Sequence, residues 1–318
     1  MSNSTHRVEV FTIKLETHPT ADRLDVVRIY GYTACVRKGD FKDGDLAAYV
    51  PPDSVMPDRP EYAFLQGRFR IKVKKLRGII SMGLVLPAPA GAKVGEDVAE
   101  QLGVVHYVPP TAMSVGGETE IPPEGYRPKY DVDSWYRYKH LFKPGELVVA
   151  TEKVHGTSGR WCWHDGRMHC GSRSEWKRET ADSVWWRILR EHPELEDFCK
   201  VYPDVTVYGE VYGWVQDLRY GAQPGQLMYA VFDLLRGSEW VGHDEARVIG
   251  RTLPWVAVIF KGEYDEAAIQ LLADGESRHT DEKQMREGIV IKPLVERTDP
   301  EIGRVQAKIV SNAYLERV

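Results

Sequence analysis

A lysine that closes a valine-rich run, in Glu152-Lys153-Val154-His155-Gly156-Thr157-Ser158, is followed in fixed order by four more charged segments. These are Tyr208-Gly209-Glu210, Phe232-Asp233, Glu287-Gly288-Ile289-Val290-Ile291-Lys292 and Gln306-Ala307-Lys308-Ile309. A lone Lys-x-x-Gly is expected about once in a chain of this length from average residue usage. The full ordered set is much harder to obtain by chance. Each member lies in or at the end of a short hydrophobic run that reads as a strand. The sequence therefore calls for a sheet fold that gathers these strand ends into one site.

The runs divide the chain. Up to about residue 102, Val8–Ile13, Leu24–Tyr30, Tyr32–Val36, Leu46–Val50, Phe69–Val73 and Gly83–Leu86 are β-branched or aromatic, broken by Gly39-Asp40, Asp43-Gly44-Asp45 and Pro51-Pro52. Many short strands with little helix predict a small barrel. Residues 103–134 hold Pro109-Pro110, Gly116-Gly117 and Pro122-Pro123, which predicts a linker or extended connection. Residues 135–318 mix elements. Strands are expected at Leu147–Val154, Gly159–Trp163, Arg167–Cys170, Val205–Tyr212, Leu227–Leu235, Trp255–Phe260, Gly288–Pro293 and Arg304–Val310. Asp165-Gly166 marks a hairpin. Helices are expected over Glu179–Cys199, broken at Pro193, and over Tyr264–Ala273. The fold class is α+β on antiparallel sheet.

At 318 residues there is room for two cores. No apolar run approaches the roughly 20 residues of a membrane span, and the first residues lack a signal-peptide core. The four cysteines form no Cys-x-x-Cys pair. Reduced thiols and a cytoplasmic location are the expectation. A net charge of −5 argues against indiscriminate nucleic-acid binding over the whole surface but leaves room for a local basic groove.

The residue types fit phosphoryl transfer. Lysine is a nucleophile only when neutral, and a strand end before a Gly turn can hold it at a cleft mouth. Gly156 would let backbone approach a phosphate; read alone, Lys153 is a surface lysine before a turn. Glu210 and Glu287 are strand-end carboxylates beside glycines, able to hold a divalent metal or its waters, or ribose hydroxyls. Phe232 offers a face for a base and Asp233 a third acid; alone they read as a core Phe and a turn Asp. Lys292 and Lys308 lie in Val/Ile-rich strands, where an unpaired lysine is costly, so a polyphosphate is the expected partner. Arg173, in Gly171-Ser172-Arg173-Ser174, reads as a phosphate clamp.

Taken together, residues 147–311 resemble the covalent nucleotidyltransferase superfamily of polynucleotide ligases and mRNA capping enzymes, whose ligase domain is ATP-grasp-like. Lys153 matches the nucleotide-accepting lysine, and Glu210, Phe232 with Asp233, Glu287, Lys292 and Lys308 match the later motifs. Only Asn312–Val318 follow Ser311, so an additional barrel would precede the lysine. That order is similar to the RNA ligases of the Deinococcus and Naegleria type, with an N-terminal OB-like module. Thr17-His18-Pro19-Thr20-Ala21-Asp22-Arg23-Leu24 also resembles the entry of tRNA-binding OB modules. Two positions depart from the pattern. His155 stands where many ligases have Asp, and Gln306 stands where the first of two lysines is common.

The resemblance implies an ATP-dependent RNA ligase that joins a 3′-OH end to a 5′-phosphate end through lysyl-AMP, with Mg²⁺ or Mn²⁺ and with no obligate protein partner. Lys153, Lys292 and Lys308 would be catalytic. Glu152, Gly156, Arg173, Glu210, Phe232, Glu287 and Val290 would join them around the nucleotide, Phe232 and Val290 taking the two faces of adenine. Glu210, Glu287, Asp233 and, through water, His155 would serve the metal; whether Glu210 serves the ribose or metal waters stays open. The alternatives are a DNA ligase or capping-type enzyme, or an RNA- or tRNA-binding protein with an inactive transferase domain.

The barrel has its own signal. Arg68-Phe69-Arg70-Ile71-Lys72-Val73-Lys74 alternates strictly. On a strand, Arg68, Arg70, Lys72 and Lys74 would form one basic stripe, at same-face spacings of roughly 6.5–7 Å, comparable to successive phosphates. The expectation is nucleic-acid backbone binding; the alternative is a solvated edge strand guarded by lysines.

Overall fold

The computed structural model describes residues 6–107 and 118–317. The chain divides into two compact units, Met1–Pro109 with Leu315–Val318, and Pro110–Tyr314.

In the first unit, Glu9–Thr12, Leu46–Val50 and Leu84–Pro87 form one antiparallel sheet, with Leu46–Val50 in the middle. Leu15–Thr17, Leu24–Ile29 and Tyr32–Arg37 form a second. Val73–Leu76 and Ile79–Met82 make a hairpin whose turn residues, Arg77 and Gly78, both have positive φ (48° and 95°), as a type I′ turn requires. Alternation buries Val8, Val10, Ala48, Val50, Ile71 and Leu86 around Met56, Tyr62 and Val98. The expected strand Phe69–Val73 is corrected: Arg70 makes a single bridge to Val55, and the ladder begins only at Val73. The alternation survives in burial, with Ile71 and Val73 inside and Arg68 and Lys74 exposed. Arg70, however, is drawn to Asp53 at 2.8 Å and stacks 3.8 Å above the Tyr107 ring. The basic stripe is thus partly neutralised at its second member.

Among the described residues the second unit holds two main sheets and a two-stranded ladder of Thr298–Asp299 with Gly303–Arg304. The larger runs in the order Thr119–Glu120, Trp176–Lys177, Arg167–Ser172, Thr157–His164, Val205–Gly213, Leu227–Arg236, Glu239–Trp240. Asp165 (φ 48°) and Gly166 (φ 75°) turn its central hairpin. One face is covered by the helices Val184–Glu191 and Pro193–Val201, whose Trp185, Ile188, Leu195 and Phe198 pack on Trp161, Val207, Val211 and Val231. His192, at φ −130° and ψ 75°, breaks the helix as the residue before proline should. The smaller sheet runs Asp133–Ser134, Ala307–Val310, Gly288–Pro293, Leu147–Lys153, Val258–Glu263.

The stretch read as a connection is more than that. Pro109-Pro110 and Gly116-Gly117 lie outside the described residues. Before them, Val104 is buried in the first core and Val105–His106 pairs with Ser54–Val55. After them, Thr119–Glu120 extends the larger sheet and Asp133–Ser134 lies parallel on Ala307–Val310 in the smaller. Proline-rich composition forbids long ladders but not two-residue edge pairings, which leave no periodicity to read.

Candidate active site

Lys153 ends the strand that lies between Gly288–Pro293 and Val258–Glu263 in the smaller sheet, and it pairs in register with Gly288. That register sets the residue before Gly288 beside the lysine, and Lys153 Nζ lies 2.7 Å from Glu287 Oε1. Two glycines make the approach possible. A Cβ at Gly288 would lie 2.1 Å from the Ile309 carbonyl oxygen, and one at Gly156 the same distance from that of Val211. Gly156 is therefore demanded by its own neighbouring strand, not only by a phosphate.

Glu210 reaches the same place from the larger sheet, opposite Ser158 and Ala230. Burial pushes its carboxyl up to about 8, against the pull of Lys153 and with the repulsion of Glu287. Glu287 goes the other way, held at about 2: burial opposes ionisation, but Lys153 and His155 outweigh it. Glu287 Oε2 is buried and makes no hydrogen bond of good geometry. A buried acceptor beside a second, desolvated carboxylate fits a divalent cation. Among the described residues no three His, Cys, Asp or Glu side chains converge closely enough to hold an ion. Glu210 and Glu287 would thus share one with its waters or with phosphate oxygens.

His155 is placed differently from the expectation of a water-mediated ligand. Its Nε2 lies 2.8 Å from Asp217 Oδ1, and its Nδ1 lies 3.3 Å from Glu287 Oε2 and 3.2 Å from the Tyr314 hydroxyl. Protein groups engage both nitrogens, so the ring bridges Glu287 to Asp217.

Asp233 and Lys292 are corrected outright. Tyr229, Val231 and Leu234 all face the helix-covered core, so the alternation changes phase at Phe232–Asp233. The ladder slips there, between the pairs Tyr208–Asp233 and Gly209–Val231. This bulge re-aims the acid into the cleft, where Lys292 Nζ and Tyr130 Oη both donate to it. Arg304 adds a two-pronged pair at 2.9 and 3.0 Å, and also binds Glu296 at 2.6 Å. Burial pushes the Asp233 carboxyl up, but Arg304 and Lys292 hold it well below the usual range. A lysine in an apolar strand needs a partner; here that partner is Asp233, not a polyphosphate. Both side chains are thus paired within the protein.

Glu152 points elsewhere as well. It is buried and accepts from the Ser277 hydroxyl (2.6 Å) and the Arg278 amide (2.7 Å), which clamps the 277–278 turn to the lysine strand. Thr151, Val290 and Lys308 are register partners across three strands and so share the face that Lys153 presents. Arg173 is half-exposed and pairs with Asp131 at 3.3 Å.

Tyr130, Arg304 and Asp217 were not legible as site residues. Arg304 lay inside an expected strand with charged neighbours, the one available signal. Tyr130 lay in a Pro-rich stretch with none.

Comparison with known proteins agrees with this geometry. The RNA ligase family matches residues 146–310, more than half of the chain, and an OB-fold domain family matches residues 8–88. No curated protein matches. Among solved structures, Naegleria gruberi RNA ligase with pyrophosphate has a TM-score of 0.84 at 24% identity over 98% of each chain. A variant of that enzyme with ATP and Mn reaches 0.85 at 24% identity over 98% of each chain, and one with AMP and Mn reaches 0.85 at 24% over 98% of this chain and 99% of that one. The two-unit fold is that of these enzymes, and the chain belongs to the RNA ligase family.

Proposed function

We propose that this protein is an ATP-dependent RNA ligase that joins a 3′-hydroxyl to a 5′-phosphate in three phosphoryl transfers. Lys153 attacks the α-phosphorus of ATP, forming an N–P bond as the bond to pyrophosphate breaks. The AMP then passes to the 5′-phosphate of an RNA end, and a 3′-hydroxyl displaces it. The observation that carries this reading is Lys153 between two buried carboxylates in a chain of the RNA ligase family. The Naegleria enzyme of the same fold has been captured with ATP, AMP and Mn, which supports ATP and a divalent metal, Mn²⁺ or Mg²⁺, as cofactors.

Lys153 Nζ rests 2.7 Å from Glu287 Oε1, and attack needs the neutral amine. Glu210 and Glu287 would hold the metal, whose charge supplies what the lysine needs to shed its proton and what the phosphate oxygens need as they gain charge. Lys308 and Arg173 are the cations best placed for phosphate oxygens, and Phe232 and Val290 for the base. The free thiols of Cys35, Cys162, Cys170 and Cys199 suit a reducing compartment such as the cytoplasm.

Incubation with labelled ATP and Mn²⁺ tests the reading. The expected result is a covalent AMP on the protein, mapped by mass spectrometry to Lys153 and absent in Lys153→Ala. An adduct on another lysine, or none with ATP, overturns it.

A further inference from the structure

We propose that Tyr130–Asp133 occupy the partners that the nucleoside triphosphate would use, so that nucleotide binding exchanges these side chains for its own base and phosphates. The inference rests on the function proposed above. It starts from three contacts made by one short stretch. The Tyr130 ring lies 4.4 Å from Phe232, the ring set for the base. Asp131 pairs with Arg173, the first cation set for phosphate. Asp133 stands beside Lys308, the second: its strand lies on that of Lys308 with Asp133 opposite Ala307. An aromatic ring followed by two carboxylates thus repeats, in order of type, a base followed by phosphates.

The stretch is built to exchange locally. Upstream, Arg160 donates to the carbonyls of Arg127 (2.9 Å) and Pro128 (3.3 Å), and the Tyr208 hydroxyl to that of Pro128 (2.9 Å). Downstream, Ser134 pairs with Lys308 and Trp135 is buried. Only residues 129–133 lie between these anchors. The Asp131–Arg173 pair is about half-exposed on both sides, and such pairs contribute little. Burial raises the Asp133 carboxyl to about 6 and Lys308 draws it down. Tyr130 is held more firmly, by Asp233 and by Gln306 at 2.9 Å. Gln306 further donates to the Asp131 carbonyl at 3.3 Å. That glutamine stands where the first of two lysines is common, and a lysine could not accept from Tyr130.

The test measures lysine adenylylation in single turnovers across ATP concentrations, for the full chain and for the double variant Asp131→Asn/Asp133→Asn. Removing the competing charges should lower half-saturating ATP by about threefold to tenfold, the range of two weak ion pairs, with the maximal rate kept. Amide exchange over residues 118–134 should rise when ATP is added to the unmodified chain. Unchanged or weakened ATP saturation in the variant, with normal adduct in the unmodified chain, overturns the exchange alone. It would make the stretch a fixed wall or an aid to the nucleotide. No adduct and no ATP binding in the unmodified chain overturns the function and the exchange together.

Discussion

Glu210 and Glu287 are both buried beside Lys153, yet burial pushes Glu210 up while Lys153 and His155 hold Glu287 down against it, and this gives them opposite effects on stability. Glu287 is depressed from 4.5 to about 2. Its contribution is present above about pH 4.5 and is lost as pH falls through 2. Glu210 is raised from 4.5 to about 8. The protonated form is the comfortable one, so the stability it gives is full below about pH 4.5 and is lost as pH rises through 8. Glu287→Gln should therefore destabilise at neutral pH, by on the order of 3 kcal/mol at 1.36 kcal/mol per unit. Glu210→Gln should stabilise by a similar order above pH 8 and change little near pH 4. Thermal melts of both variants from pH 4 to 9 check this, and the same sign for both would be wrong. The sequence marked both glutamates as strand-end carboxylates beside glycines. What it hid was partnership: the ion pairs with Lys153 and His155 link residues 134 and 132 positions apart in sequence. Asp233 failed for the same reason, since its ties to Lys292 and Arg304 depend on a bulge that no local pattern announces.

At the scale of elements, the strands around the site were readable because they alternate or run apolar between clear turn residues. The Leu147–Lys153, Val205–Gly213 and Gly288–Pro293 strands lie within a residue of their expected ends. The helix pair split by Pro193 was readable for the same kind of reason. The edge pieces were not, because Thr119–Glu120 and Asp133–Ser134 are too short to carry a period. The central glycines were legible as motif members but not for their main physical cause, which is contact between backbones. At Gly156 and Gly288 the obstructing atoms are carbonyl oxygens of neighbouring strands, and a flexible side chain cannot step aside there. Gly288 adds a φ of 158°. Gly156→Ala and Gly288→Ala should each cost about 2 kcal/mol or more, as overpacking against a fixed wall does, with a lower melting temperature and less adduct. Gly145→Ala is the control. A Cβ there meets nothing within 4 Å, so only its positive φ of 76° is strained. Equal losses at all three positions would show that conformation rather than contact sets the requirement.

At the scale of the molecule, the residues around Lys153 and the basic stripe fall in different units. Every residue placed around Lys153 lies in the unit Pro110–Tyr314, and the OB-fold match ends at residue 88. The ordered motifs begin only after residue 147, which is why the sequence reads the two halves separately, whereas the pairing of Arg70 with Asp53 and Tyr107 needed the fold to be seen. A chain lacking residues 1–107, folded by circular dichroism, should still form its AMP adduct at near-normal rate and should lose most end joining. In the full chain, the cations left in the stripe are Arg68, Lys72 and Lys74. Phosphate contacts release counterions, so the slope of log affinity against log salt falls by about 0.7 to 0.9 for each contact removed. Lys72→Glu with Lys74→Glu should weaken RNA binding and flatten that slope by roughly 1.5, while Arg70→Ala, whose charge is already engaged, should flatten it less. An adduct lost on truncation would mean that the first unit helps to build the nucleotide site. A slope unmoved by the double reversal would return the stripe to a solvated edge whose lysines only keep other strands away.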